Sequence, residues 1–107
     1  MSAPFVAQLR TSRPPIVLAA GAGAIAVRVE ASDIWETVRV TARPDTSVSD
    51  LRKRVVAELF PEGTAAADFV MKHHGWELLD TRATLDGAGI GNGAIVLLAY
   101  RRRRPVR

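Results

Sequence analysis

Few residues in this chain combine the type and the spacing that chemistry needs. His73 and His74 are adjacent, so on a strand their imidazoles would project to opposite faces and could not hold one metal ion together. They are expected to be surface or turn residues. Gly87-Ala88-Gly89-Ile90-Gly91 has the glycine density of a phosphate-binding loop, but neither the Lys-Ser/Thr ending nor the following helix that such a loop requires. A turn-rich connection is expected there instead. Asp68, Glu77, Asp80 and Asp86 follow no spacing that pairs two carboxylates for acid–base work, and acidic side chains of this kind read as a solvated surface. Cysteine is absent, which excludes disulfides, thiolate metal sites and a cysteine nucleophile. The expectation is a protein without catalytic residues, metal or cofactor.

Charge is the other candidate for chemistry. Arg101, Arg102, Arg103, Arg104 and Arg107 place five arginines in seven residues, and each could neutralise a phosphate of nucleic acid or of an anionic lipid with a salt-dependent affinity. No aromatic residue is interleaved after Tyr100 to stack on a base. The whole chain carries +4, but residues 24 to 100 hold eight basic and eleven acidic residues and so carry −3. A mildly acidic body with a basic end is expected to use that end, if at all, as an auxiliary anion contact.

The elements that position these residues follow from length and periodicity. With 107 residues the chain fits one domain with a single core. Residues 1–23 contain Pro4, Pro14 and Pro15 among small residues and read as a flexible N-terminal extension. Arg10 and Arg13 ahead of the apolar residues 16–27 imitate an export signal. The late position of that run, its dilution by Gly21 and Gly23 and its continuation into Val27-Arg28-Val29 favour a tail leading into a strand, in a cytoplasmic protein. No run approaches the ~18 apolar residues of a membrane span.

Ile25, Val27 and Val29 alternate with Ala26, Arg28 and Glu30, and Val38 and Val40 alternate with Thr37, Arg39 and Thr41. The two runs predict a hairpin with its valines inward. Ser47 and Asp50 are placed as a helix N-cap pair, and Val48, Leu51, Val55, Val56 and Leu59 form an apolar stripe that Phe60-Pro61 ends. A third strand is expected over residues 68–73, with Phe69 and Met71 on one side and Val70 and Lys72 on the other, and a short edge strand over residues 76–79. Leu85 and Ile90 are expected to drop into the core from a glycine-rich connection whose glycines, from Gly87 to Gly93, are free to take positive φ. Residues 95–99, Ile-Val-Leu-Leu-Ala, then form a doubly buried strand that pairs in parallel beside the first. One helix covers one face of this sheet. The other is left for water or a partner.

This order, with Thr84-Leu85-Asp86, then Ile90, then Val96, resembles the closing segment of the ubiquitin-like β-grasp family, and Pro44-Asp45-Thr46-Ser47-Val48 sits where that family's second strand enters its helix. The resemblance covers residues 24 to 100 and implies an α+β fold, a four- to five-stranded mixed sheet on one helix, followed by a basic tail at 101–107. Gly89-Ile90-Gly91-Asn92-Gly93 resembles bacterial members, the YukD-like accessory proteins of type VII secretion among them. Conjugated members and sulfur carriers carry Gly-Gly shortly after the last strand. Here that place reads Arg101-Arg102-Arg103-Arg104, so modifier and sulfur-carrier chemistry are disfavoured. The family's usual recognition patch lies on the open sheet face, and alternation turns Val70, Leu97 and Ala99 to it, with Lys72 as a charged margin and Ile34 or Trp35 at the rim. The expected function is protein binding through that patch, with anion binding by the arginine tail as the alternative.

Overall fold

The computed structural model describes residues 14–101. Six strands form one mixed sheet: β1 (Ile16–Val17), β2 (Ile25–Ala31), β3 (Glu36–Ala42), β4 (Phe69–His73), β5 (Trp76–Glu77) and β6 (Ile95–Tyr100), in the spatial order β1-β3-β2-β6-β4-β5. The one α-helix among the described residues, α1 (Val48–Leu59), follows β3, and a 3-10 turn (Ala66–Asp68) leads into β4. β2 and β3 pair antiparallel with Val27 opposite Val40 and Val29 opposite Val38. β6 lies parallel to β2 and antiparallel to β4. The two most apolar runs of the chain are therefore the centre of the sheet, but β6, expected to be buried on both faces, is covered on the helix side alone: Val96 and Leu98 are buried, while Ile95 is half exposed and Leu97 and Ala99 are half-buried.

The core lies between the sheet and α1. Val27, Val29, Val38, Val40, Phe69, Met71, Val96 and Leu98 meet Val48, Leu51, Val55, Val56 and Leu59 of the helix, all buried. Ser47 caps α1 by accepting the Asp50 amide at 3.0 Å on its Oγ, which satisfies one of the amides a helix leaves unpaired at its start. Two others donate to the later connection, Val48 to the Ala83 carbonyl and Ser49 to that of Thr81. Leu85 and Asp86 return bonds to Thr46 and Pro44. This clamp holds the connection against the helix N-terminus and buries Leu85 and Ile90. Of its glycines, Gly89 and Gly93 take positive φ, at 81° and 85°. Gly87 and Gly91 do not.

At several points the structure departs from the sequence expectations or adds to them. Ile16 and Val17, assigned to the extension, form an edge strand in parallel with β3. Ile16 is only 3% exposed within the core cluster, and Leu18 donates to the Thr41 carbonyl at 2.8 Å, so burial and a backbone bond order a segment that has no periodicity of its own. The sheet thereby gains its sixth strand. Arg52 of α1, half-buried, donates from Nη1 to the Phe69 carbonyl at 3.2 Å and ties the helix to the start of β4. Tyr100 is turned to the helix side but is half exposed, its ring edge-on to Phe69 at 5.2 Å.

The histidine pair also departs from its expected arrangement. Its rings are 4.1 Å apart, not on opposite faces. His73 pairs with Trp76 across the β4–β5 hairpin, leaving His74-Gly75 as a two-residue loop with φ of 55° and 82°, the conformation of a type I′ turn. His74 has thus left the strand, and its ring folds back on its neighbour. His73 is held below the ordinary imidazole pKa, first by burial and then by the charge of His74. A histidine with a depressed folded pKa binds protons better unfolded, so its contribution is complete above the ordinary value of about 6.5 and is lost as pH falls below it. The urea midpoint is expected to fall as pH is lowered through that region, and less so in His73→Gln. A drop of equal size in both proteins would place the cause elsewhere.

Candidate protein-binding face

On the side of the sheet away from α1, the strands present Arg28 and Glu30 from β2, Thr37 and Arg39 from β3, Ile95, Leu97 and Ala99 from β6, Val70 and Lys72 from β4 and Glu77 from β5. The alternation that buries Val96 and Leu98 against the helix turns Ile95, Leu97 and Ala99 outward. Register sets one row across the face, Glu30 beside Leu97 beside Lys72 beside Glu77. An aliphatic side chain is thereby flanked by charges of both signs. Ile95 is 50% exposed, and Leu97 and Ala99 are half-buried.

Val70 lies on the open face beside Ala99, but it is only 8% exposed and does not belong to the helix-side core. The reason is an ion pair across the strand. Arg101 Nη2 donates to Glu77 Oε2 at 3.1 Å, linking β5 to the end of β6 over the intervening β4, a span of about 9–10 Å for two strand spacings. The Arg101 amide donates to the Asp68 carbonyl at 2.6 Å, extending the β6 alternation by one residue. The guanidinium therefore passes over Val70. Arg101, expected in a basic tail, is tied to the sheet just past the end of β6, while Arg102, Arg103, Arg104 and Arg107 lie outside the described residues.

The hairpin turn is tied to the same end of β6. Asp33 Oδ2 accepts the Tyr100 amide at 2.6 Å, and Ser32 donates to the Leu98 carbonyl. Ile34 packs partly against the core. Trp35 does not: it is 94% exposed and holds φ at 55°, a left-handed backbone that a bulky residue rarely adopts. Of the two candidate rim residues, the indole is the one available to a partner.

Sequence reasoning did not single out Arg28, Arg39 or Ile95. Aligning the hairpin by its valines is enough to place Arg28 opposite Arg39, so the signal was present in the residue pattern. Among the described residues no three His, Cys, Asp or Glu side chains converge on a point. No helix there is long and apolar enough to cross a membrane.

No protein-family model and no curated protein sequence matches the chain. Its likeness is to solved structures. The ubiquitin-like domain of an Arabidopsis thaliana protein superposes with a TM-score of 0.65 at 19% identity, over 84% of this chain and 90% of that one. The ubiquitin of Caldiarchaeum subterraneum superposes with a TM-score of 0.63 at 19% identity, over 78% and 100%. A further neighbour is ATBAG1, solved in complex with HSP70, with a TM-score of 0.59 at 22% identity, over 71% of this chain and 40% of that one. Identities this low carry the fold alone, and the fold is the ubiquitin-like β-grasp.

Proposed function

We propose that this chain is a non-catalytic interaction module that binds another protein through the open face of its sheet. Leu97, Ala99 and Lys72 are read as the contact surface, Val70 as its support beneath the Arg101 guanidinium, and Trp35, with Ile34 behind it, as the rim. The observation that carries this reading is the row through Leu97, in which a half-buried aliphatic side chain on a central strand is bordered by Glu30 and Lys72. Apolar surface with a charged margin is the arrangement of an interaction site. A structural neighbour bound to HSP70 agrees with a role in protein binding. The likeness of Gly89-Ile90-Gly91-Asn92-Gly93 to YukD-like proteins makes a type VII secretion apparatus, approached from the cytoplasm, the first assembly in which to seek the partner.

The second reading is anion binding by the arginine tail, favoured by the density of arginine after Tyr100. Deleting residues 102–107 separates the two while sparing the Arg101–Glu77 pair. The shortened chain is expected to keep its urea midpoint and its partner, and to lose any salt-dependent binding to DNA or anionic vesicles. Loss of the protein partner on deletion would favour the tail.

A further inference from the structure

Arg28 and Arg39 face each other directly on the open side of the β2–β3 hairpin. Side chains so placed have Cβ atoms about 4.5–5.5 Å apart, and like charges in that position destabilise an antiparallel pair. Among the described residues neither guanidinium makes an ion pair or hydrogen bond with another side chain. Beside them Ile95, paired with Arg28 across β2 and β6, is half exposed. The three side chains border a hollow of about 210 Å³ floored by Ala26 and Gly93. That floor is fixed: the Gly93 amide donates to the Ala26 carbonyl at 2.7 Å, and the Ala26 amide donates to Asn92 Oδ1 at 2.8 Å. Gly93 has φ of 85° and no side chain to fill the space.

We propose that this hollow receives a carboxylate side chain of an acidic polypeptide lying across the open face, with an adjacent apolar residue of the same polypeptide on Ile95. The inference rests on the reading of that face as a protein-binding surface and names the chemistry of its partner. Two planar guanidiniums side by side present the fork geometry that suits a carboxylate, and binding one relieves their mutual repulsion. A nucleic-acid strand fits less well. Glu30 follows Arg28 on the same face, Glu77 stands in the row of Glu30, and residues 24 to 100 carry −3, so a continuous run of phosphates leaving the two arginines would meet negative charge, whereas a polypeptide can place a single carboxylate there and apolar residues beyond it.

The test uses the 15N-labelled full chain titrated with a capped peptide of alternating glutamate and leucine. Amide shifts are expected at Arg28, Arg39, Gly93 and Ile95, weakening with added salt, with affinity lowered tenfold or more in Arg28→Gln and in Arg39→Gln. Arg28→Gln should also raise the urea midpoint, because it removes the repulsion. A lower midpoint would make the arginine a structural residue and overturn the inference. Equal shifts with a glutamine–leucine peptide would overturn it too, as would inorganic phosphate or an oligonucleotide shifting the same amides at lower concentration. Partner capture by Leu97→Lys distinguishes the layers. If Leu97→Lys loses the partner while Arg28→Gln changes neither peptide nor partner binding, the acidic-polypeptide assignment falls and the face reading stands. If the peptide binds at Arg28 and Arg39 while Leu97→Lys still captures the partner, the hollow stands and the wider face falls.

Discussion

Leu51→Ala is expected to lose about 2–5 kcal/mol of stability, the range for truncating a buried leucine. Leu51 is fully buried on the apolar stripe of α1, within the single core cluster that joins helix and sheet, so its truncation leaves a cavity in close-packed surroundings. For a domain of this size a loss of that order is a large part of the total. The matched control is Lys53→Ala on the exposed side of the same helix, where about 0.5 kcal/mol or less is expected. Arg52→Ala belongs between them, because it removes the hydrogen bond to the Phe69 carbonyl, a contact worth about 1 kcal/mol or a little more when the donor is charged. Urea melts of the three variants rank these losses. Equal, small changes in all three would mean that α1 does not pack by this face.

The helix, the hairpin and the central strands were legible because each has an unbroken period that a single window of sequence displays. Val48, Leu51, Val55 and Leu59 keep helical spacing, and Val27 and Val29 keep strand spacing. Leu85 and Ile90 could be assigned to the core because they are the large apolar residues of a segment otherwise rich in glycine. Features set by contacts distant in sequence were not legible. β1 exists because Ile16 finds a place in the core and the chain beyond it donates to the Thr41 carbonyl; two residues after two prolines have no pattern to read. Val70 keeps the face expected of it but loses its exposure to an ion pair between residues 24 apart in sequence. The histidines meet because the register of a two-residue turn puts His74 into a left-handed conformation, which a strand reading of His73-His74 cannot contain.

At the open face the largest expected effect is that of Leu97→Lys. Leu97 sits between Glu30 and Lys72 on a strand whose opposite side is fixed by Val96 and Leu98. A lysine there keeps its stem on the sheet and its charge in water, so the fold is expected to survive with a change of about 0.5 kcal/mol or less. The same change puts a second ammonium next to Lys72 in the middle of the proposed contact. Loss of a central contact of this kind amounts to about 2 kcal/mol or more of binding, roughly thirtyfold in affinity. Val70→Asp is a poorer probe, because Val70 is buried beneath Arg101 and its replacement disturbs the sheet as well as the surface.

The deciding measurement is an NMR titration of the 15N-labelled full chain with its purified partner, obtained by capture from the native cell extract, beside the same titration of Leu97→Lys. The expected footprint covers Leu97, Ala99, Lys72 and Trp35 and leaves the exposed residues of α1 unshifted, with binding by Leu97→Lys weakened roughly thirtyfold at unchanged stability. A footprint on the exposed side of α1, with Leu97→Lys folded and binding as tightly as the unaltered chain, would contradict it.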